Sequence, residues 1–395
     1  MAFLRNSIVN LLNLHFGIHM LAVSAGGAFV GVYLLRAGVP IAGVLGAYAL
    51  ITGLRFLIRP FVLGLGKRFG LKPLVIAGAA ISALQYPPLA FVHGLDLALL
   101  GMCAIAAIGD TLYWTAYHAY FAALGDADHR GKQISAREAM SALVGIVAPI
   151  IGGWTLATLG PLPAFGAVAI VQLLSALPLL STPNVPVVAE APGSMRSAFS
   201  GMTLFAADGW FQGCAGFVWD IALFVTLKQS FTAFGGAMAL AAIVGALCGL
   251  LLGGLIDNGG GKRAVLITAL ALTAVVGLRA ISVGSPALAL TANALGALTA
   301  RLYVPTLMTA VYNLAQSSPC VLRFSIATEG AWDVGCSLGC LTAAGLITLG
   351  APLGPTMLLA LAGVACSAFV MRRYYHGRAI TPLDAQLSES SAPLA

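Results

Sequence analysis

The chain has 395 residues, of which 59% are hydrophobic and only 8% charged, against about 25% charged in soluble domains. With a mean hydropathy of +0.96, too little polar material remains to cover a water-soluble surface, which excludes a soluble enzyme or binding domain. The net charge of +7 does not mark a nucleic-acid binder, because the basic residues recur in short loops between apolar runs.

Twelve apolar stretches are long enough to span a bilayer. They are 8–35, 41–64, 73–93, 96–124, 133–160 and 163–182, then 200–227, 233–256, 264–283, 286–315, 321–349 and 352–373. Ala22 to Ala25 loosely resembles a cleavage site, but His15 and His19 interrupt the run and it continues to Leu35, so the first span is expected to be retained. Residues 183–199 carry Pro183, Pro186, Pro192 and Gly193 and read as a linker. The expected organisation is an N-terminal six-helix bundle over 1–182, a cytoplasmic linker over 183–199, a C-terminal six-helix bundle over 200–374, and a disordered tail over 375–395. With both termini placed in the cytoplasm, fourteen Lys and Arg fall in inner loops and two, Arg36 and Lys228, in outer ones. That asymmetry predicts a multi-pass protein of a bacterial-type inner membrane in contact with lipid.

The halves match at an offset of 190. Gly64, Gly70 and Lys72 align with Gly254, Gly260 and Lys262, Ser135 aligns with Ser325, and Thr158-Leu159-Gly160 aligns with Thr348-Leu349-Gly350. Two parallel repeats of this kind build a site at the bilayer midplane between halves that rock. The seven cysteines lie within or at the ends of apolar runs, so free thiols are expected. No nucleotide-binding loop, metalloprotease motif or serine-hydrolase motif is present, so no cofactor and no enzymatic chemistry are implied.

Ionisable groups inside spans are costly and mark pathways or pairs. In span 4, Asp110, Tyr113, Trp114, Tyr117, His118 and Phe121 recur at helical spacing and form a polar aromatic stripe. Arg301 in span 10 corresponds by the repeat to Thr111, so it is a partner for Asp110 or for an anionic substrate group, with Tyr303 nearby. Span 7 offers Asp208; span 11 offers Glu329 and Asp333 one turn apart, continued by Cys336 and Cys340. Arg55 in span 2 is too deep to reach head groups easily, whereas Arg59 and Arg279 are placed near helix ends, and Arg137 at the interface. His15 and His19 are one turn apart; without a third ligand nearby in sequence they suggest a hydrogen-bonded cavity wall before a metal site, and no metal is expected.

The loop from Gly253 to Arg263 reads GGLIDNGGGKR. Asp257, Gly260, Lys262 and Arg263 resemble the loop signature of the major facilitator superfamily, which implies an all-α polytopic fold of twelve helices in two pseudo-symmetric six-helix bundles. In the first half, Arg68, Gly70 and Lys72 fit the same signature, and Lys67 stands where the family usually has Asp. His129-Arg130-Gly131 is similar to the family's segment after span 4, and Ala148-Pro149-Ile150-Ile151-Gly152-Gly153 is similar to a signature of proton-coupled drug antiporters. The resemblance implies a secondary transporter whose cavity is lined mainly by spans 1, 4, 7 and 10. It assigns gating to Arg68, Lys72, Arg130, Asp257 and Lys262. From the intramembrane positions, Arg55, Tyr113, Trp114, Tyr117, His118, Arg301, Tyr303 and His19 are expected to bind substrate, and Asp110, Asp208, Glu329 and Asp333 to carry protons. The expected partners are a small solute, anionic or zwitterionic, and a proton or other coupling ion. Two other readings stand beside this one: an efflux pump with a mainly apolar cavity, and a non-transporting receptor or scaffold.

Overall fold

The computed structural model describes residues 6–124, 130–188, 190–256 and 261–378. Every predicted span falls on helix. The first is α1 (Ser7–Ala25) and α2 (Val30–Arg36), joined by a 3-10 turn; the second is α3 (Ile41–Phe69). The third is α4 (Leu71–Ala83) with α5 (Tyr86–Leu89), interrupted before the Pro87-Pro88 pair; α6 (Leu97–Leu124), α7 (Arg130–Thr158) and α8 (Pro161–Leu174) follow. After the short α9 (Ser194–Ser197), the seventh span is α10 (Phe199–Phe211) and α11 (Phe217–Thr226), separated by a π-helical turn over Gln212–Gly216. The rest are α12 (Phe231–Ile256), α13 (Gly261–Ser282), α14 (Pro286–Gln316), α15 (Val321–Thr348) and the broken pair α16 (Leu353–Thr356) and α17 (Ala360–Arg378). Nine helical segments among the described residues are long and apolar enough to cross a membrane. The outward side chains agree: Phe61 is 70% and Leu349 85% exposed, an arrangement that suits lipid and not water.

Polar anchors sit at the ends. Asp96 accepts from the backbone N–H of Leu99 and of His93, at 2.9 and 2.8 Å, and so caps the start of α6. These two N–H groups, His93 first, hold its carboxyl below the usual carboxylate range. At the other end of the bundle, Lys72 donates to the carbonyls of Leu180 and Thr182, both at 2.8 Å. Asn184 donates to Phe69 O at 2.8 Å and accepts from Lys72 N at 3.2 Å, while Leu71 N donates to Val185 O at 2.9 Å. This end, where the 183–193 stretch runs, is called the linker end below; the opposite end is the far end. The C-terminal helix continues to Arg378, beyond the predicted tail boundary, and Tyr375 Oη donates to Thr306 O at 3.0 Å.

Packing differs between the two ends. At the far end one apolar core joins both halves, from Phe29, Tyr33, Leu45 and Phe165 across to Trp219, Phe224 and Phe234. Tyr48 stacks on Phe217 at 3.8 Å, and Phe29 meets Phe234 edge-on at 5.5 Å. Glycine makes the contact of α7 with α12 possible: a Cβ on Gly235 would strike the carbonyl oxygen of Pro149, and one on Gly153 that of Phe231. Toward the linker end the core divides. One cluster holds Leu12, Val62, Tyr113 and Tyr117 with Leu322, and another holds Phe205, Val265, Tyr303 and Phe324. A narrow crevice runs between them, lined by His118 and Ala122 of α6, Phe205 of α10, Tyr312 of α14, and Phe324 and Glu329 of α15.

Candidate functional site

At the head of this crevice lies a buried ionic network drawn from three helices. Arg55 and Arg59 are one turn apart on α3; Glu329 and Asp333 are one turn apart on α15, and the two rows face each other. Arg59 donates through Nε to Asp333 Oδ2 at 3.0 Å and again through Nη2, and its Nη1 donates to Thr115 of α6. Arg55 pairs with Asp333 Oδ1 at 2.9 Å, Glu329 at 3.7 Å and Asp110 at 3.9 Å. Asp110 also accepts from Ser82 Oγ at 3.2 Å. Asp333 is fully buried and Arg59 is 1% exposed. Two guanidiniums therefore face three carboxylates in a nearly dry setting, where a removed partner leaves an uncompensated charge.

The network extends sideways. His118 Nε2 lies 3.6 Å from Glu329, and its Nδ1 is 3.1 Å from Tyr312 Oη, so α6, α14 and α15 meet at one imidazole. The Arg55 guanidinium lies over the Trp332 ring, 5.4 Å from its centre. Trp332 in turn donates through Nε1 to Asp208 Oδ2 at 2.9 Å, and Tyr303 hydrogen-bonds the same carboxylate.

The predicted aromatic stripe of α6 divides between two neighbours. Asp110, Trp114 and His118 form the row one turn apart that lies on the half-buried side. Tyr113 and Tyr117, with Phe121, form the adjacent row and are buried inside the first-half core. Tyr113 Oη meets His15 Nε2 at 3.0 Å, and His15 Nδ1 donates to Ser175 O at 2.6 Å. Because a carbonyl only accepts, this fixes the proton on Nδ1 when the ring is neutral and makes the phenol the donor to Nε2. His19 is 2% exposed, stacks on Tyr113 at 4.0 Å and bonds Gln172 at 2.8 Å. Tyr113, Tyr117 and His19, expected at the substrate, thus brace α1 against α6 and α8; a stripe this wide touches two helices. No group of three or more His, Cys, Asp or Glu side chains among the described residues is arranged to hold a metal ion.

Other positions differ from expectation. Asp110 is paired with Arg55, and Arg301 lies against Gly245 of α12. Arg59 does not reach head groups: α3 runs on to Phe69, so Arg59 sits ten residues inside its helix end. Arg137 is also interior, its guanidinium over Phe16 at 4.7 Å and Phe121 at 5.2 Å. Arg279 lies over Trp219 at 4.9 Å. Of the gating residues, Arg68 is exposed beside Phe69 and Lys72 ties the linker as described. Asp257 lies outside the described residues, as do the side chains of Arg130 and Lys262. Sequence reasoning missed Arg59, Thr115 and Trp332. The matched one-turn spacing of Arg55 and Arg59 with Glu329 and Asp333 was the available signal.

A family model described as Major Facilitator Superfamily matches residues 14–339. The chain belongs to the Major Facilitator Superfamily. Among solved structures, it resembles the superfamily transporter FucP in its outward conformation, with 17% identity, a TM-score of 0.67, and coverage of 94% of this chain and 99% of that one. It also resembles a POT family transporter in complex with a thioalcohol-conjugated peptide, with 12% identity, a TM-score of 0.70, and coverage of 94% and 96%. A POT family transporter in complex with 5-aminolevulinic acid gives 10% identity, a TM-score of 0.68, and coverage of 92% and 95%. At these identities the likeness is one of fold. No curated protein matches the sequence. The superfamily fold and membership make this a multi-pass secondary transporter. Its Arg55–Arg59–Asp333 network sits between α3 and α15, beside the four spans expected to line the cavity.

Proposed function

We propose that this superfamily member moves a small solute by alternating access, coupled to protons through the network of Arg55, Arg59, Asp110, Glu329 and Asp333. Supporting this is the charge count at the head of the crevice: three carboxylates against two guanidiniums leave one negative charge, and a single proton completes the balance. Glu329 is the acid of the network that the crevice reaches, since it lines the crevice and touches His118, whereas Asp333 is locked between both arginines. Protonating Glu329 loosens its hold on Arg55. An anionic or zwitterionic solute then has a cation to approach, and the two halves can part along α3 and α15.

The sidedness follows the charge asymmetry of the loops: the linker end faces the cytoplasm of an inner membrane, and the structure's joined far end faces out. The inferred two-bundle organisation, 1–182 and 200–374, is what rocks. POT-family neighbours were solved with a conjugated peptide and with 5-aminolevulinic acid, in keeping with a small organic cargo here.

The test is uptake into proteoliposomes for a panel of amino acids and small organic acids, with and without an imposed pH gradient. Glu329→Gln should exchange solute across the membrane yet lose gradient-driven accumulation. Accumulation by Glu329→Gln equal to that of the parent protein would remove proton coupling from this network.

A further inference from the structure

Asp208 stands apart from the other acids. Its two hydrogen-bond partners, the Trp332 indole N–H and the Tyr303 hydroxyl, are neutral donors, and among the described residues no cation pairs with it. It is half-buried, one turn along α10 from Phe205; Trp332 is half-buried, one helical step of three from Glu329 on α15. Phe205 and Glu329 both line the crevice, and Asp208 and Trp332 sit one helical step beyond them on the same two helices, toward the far end. The Trp332 ring already carries one cation, the Arg55 guanidinium.

We infer that Asp208, Trp332 and Tyr303 form a subsite that recognises the ammonium group of the transported solute. The proposal rests on the transporter reading and selects its zwitterionic branch. The connected network, from Asp208 through Trp332 and Arg55 to Arg59, holds four carboxylates and two guanidiniums. One proton leaves it one negative charge, which a zwitterion does not change: its ammonium is met by Asp208 and its acidic end by Arg55. Two fixed neutral donors orient the Asp208 carboxylate without neutralising it, which leaves its charge for a ligand. An ammonium beside this carboxylate also meets the aromatic groups that bind such cations through the ring quadrupole. Arg55 on the same indole marks where the solute's acidic end goes, with Trp332 between the two charges of the zwitterion.

The experiment uses the purified full chain in detergent, with choline chloride, glycine betaine, sodium acetate and sodium chloride at matched ionic strength, read by thermal shift and equilibrium binding. Choline and betaine are expected to raise the melting temperature above the sodium chloride control. Asp208→Asn should weaken both by roughly tenfold and leave any acetate response unchanged. Asp208→Glu, which keeps the charge, should recover part of the binding, and Trp332→Phe should retain more of it than Trp332→Leu. The inference is overturned when choline does no more than sodium chloride on the parent protein, or when Asp208→Asn binds choline as the parent does. These readouts need no gradient, so a Glu329→Gln variant that still accumulates solute would sink proton coupling and leave this subsite standing.

Discussion

At the far end the two halves meet through Tyr48 on Phe217, Phe29 on Phe234, and glycines that let α7 and α12 each touch a carbonyl of the other. At the linker end their meeting is Arg59 and Arg55 with Asp333, and His118 with Glu329 and Tyr312. In lipid, apolar surfaces gain little by finding one another, so the first contact depends on shape and close backbone approach. The second depends on charge compensation and costs much to leave half made. One interface thus carries a shape-dependent clasp and a charge-dependent clasp, and only the latter can respond to a proton or to a charged solute.

The largest effect should come from breaking the ionic side alone. Asp333→Ala leaves two buried guanidiniums with no common partner and should destabilise the protein by about 3–5 kcal/mol, read as a large drop in melting temperature or in folded yield. The double variant Arg59→Met, Asp333→Leu should recover most of that stability, because a buried pair replaced by apolar groups is often neutral, while gradient-driven uptake stays absent. Recovered stability together with recovered coupled uptake would mean that the pair is only structural.

An intermediate effect should come from spoiling the fit at the far end. In Gly235→Val the new side chain meets the Pro149 carbonyl, and overpacking of this kind costs about 1–3 kcal/mol. The closed far end should lose population by roughly tenfold, seen as faster alkylation of a Tyr33→Cys reporter, with the α3–α15 ion pairs intact. An unchanged alkylation rate would show that this contact does not hold the far end shut.

The smallest effect should come from Asp96, which caps α6 at the far end and lies outside both clasps. Its carboxyl is held below the usual range by the His93 and Leu99 N–H groups. Its stabilisation is therefore full above the unfolded carboxylate pKa, about 4, and is lost as pH falls through the lower folded value. Asp96→Asn should lower the melting temperature slightly at neutral pH and show less difference from the parent near pH 3, with transport unaltered. A difference that grows on acidification would reverse the sign and discard the capping account.

The twelve spans and their loops were legible because a twenty-residue apolar run has few other uses, and because Gly160 and Gly350, equivalent in the repeat, both end spans at positive φ. The breaks inside spans were less legible. The π-helical turn over Gln212–Gly216 arises where Gly213 lies against the backbone of Cys336 and Cys340, a partner more than a hundred residues away. In the site, the acids were found by depth alone, since an intramembrane carboxylate always needs an explanation. Their partners were not. Depth cannot say which face of α3 Arg59 presents, and ending the span at residue 64 made that arginine look peripheral. The repeat pointed to Arg301 as the mate of Asp110, yet it gives only equivalence along the axis, and the structure puts Arg55 there instead.

The tie between Lys72, Asn184 and the end of the sixth span fixes how long the leash between the halves is. Val185, Val187 and Ala191 pack on the first-half core, and Ala198 is already part of the second. The join between the two cores is the few residues from Ala191 to Ala198, which hold Gly193 at φ 82° and the one-turn helix α9. Fully drawn out at about 3.5 Å per residue, such a stretch reaches roughly 25 Å. In the proposed cycle the two halves can therefore swing but not wander, and shortening this leash by three or four residues should stall solute uptake into proteoliposomes without touching any charged group.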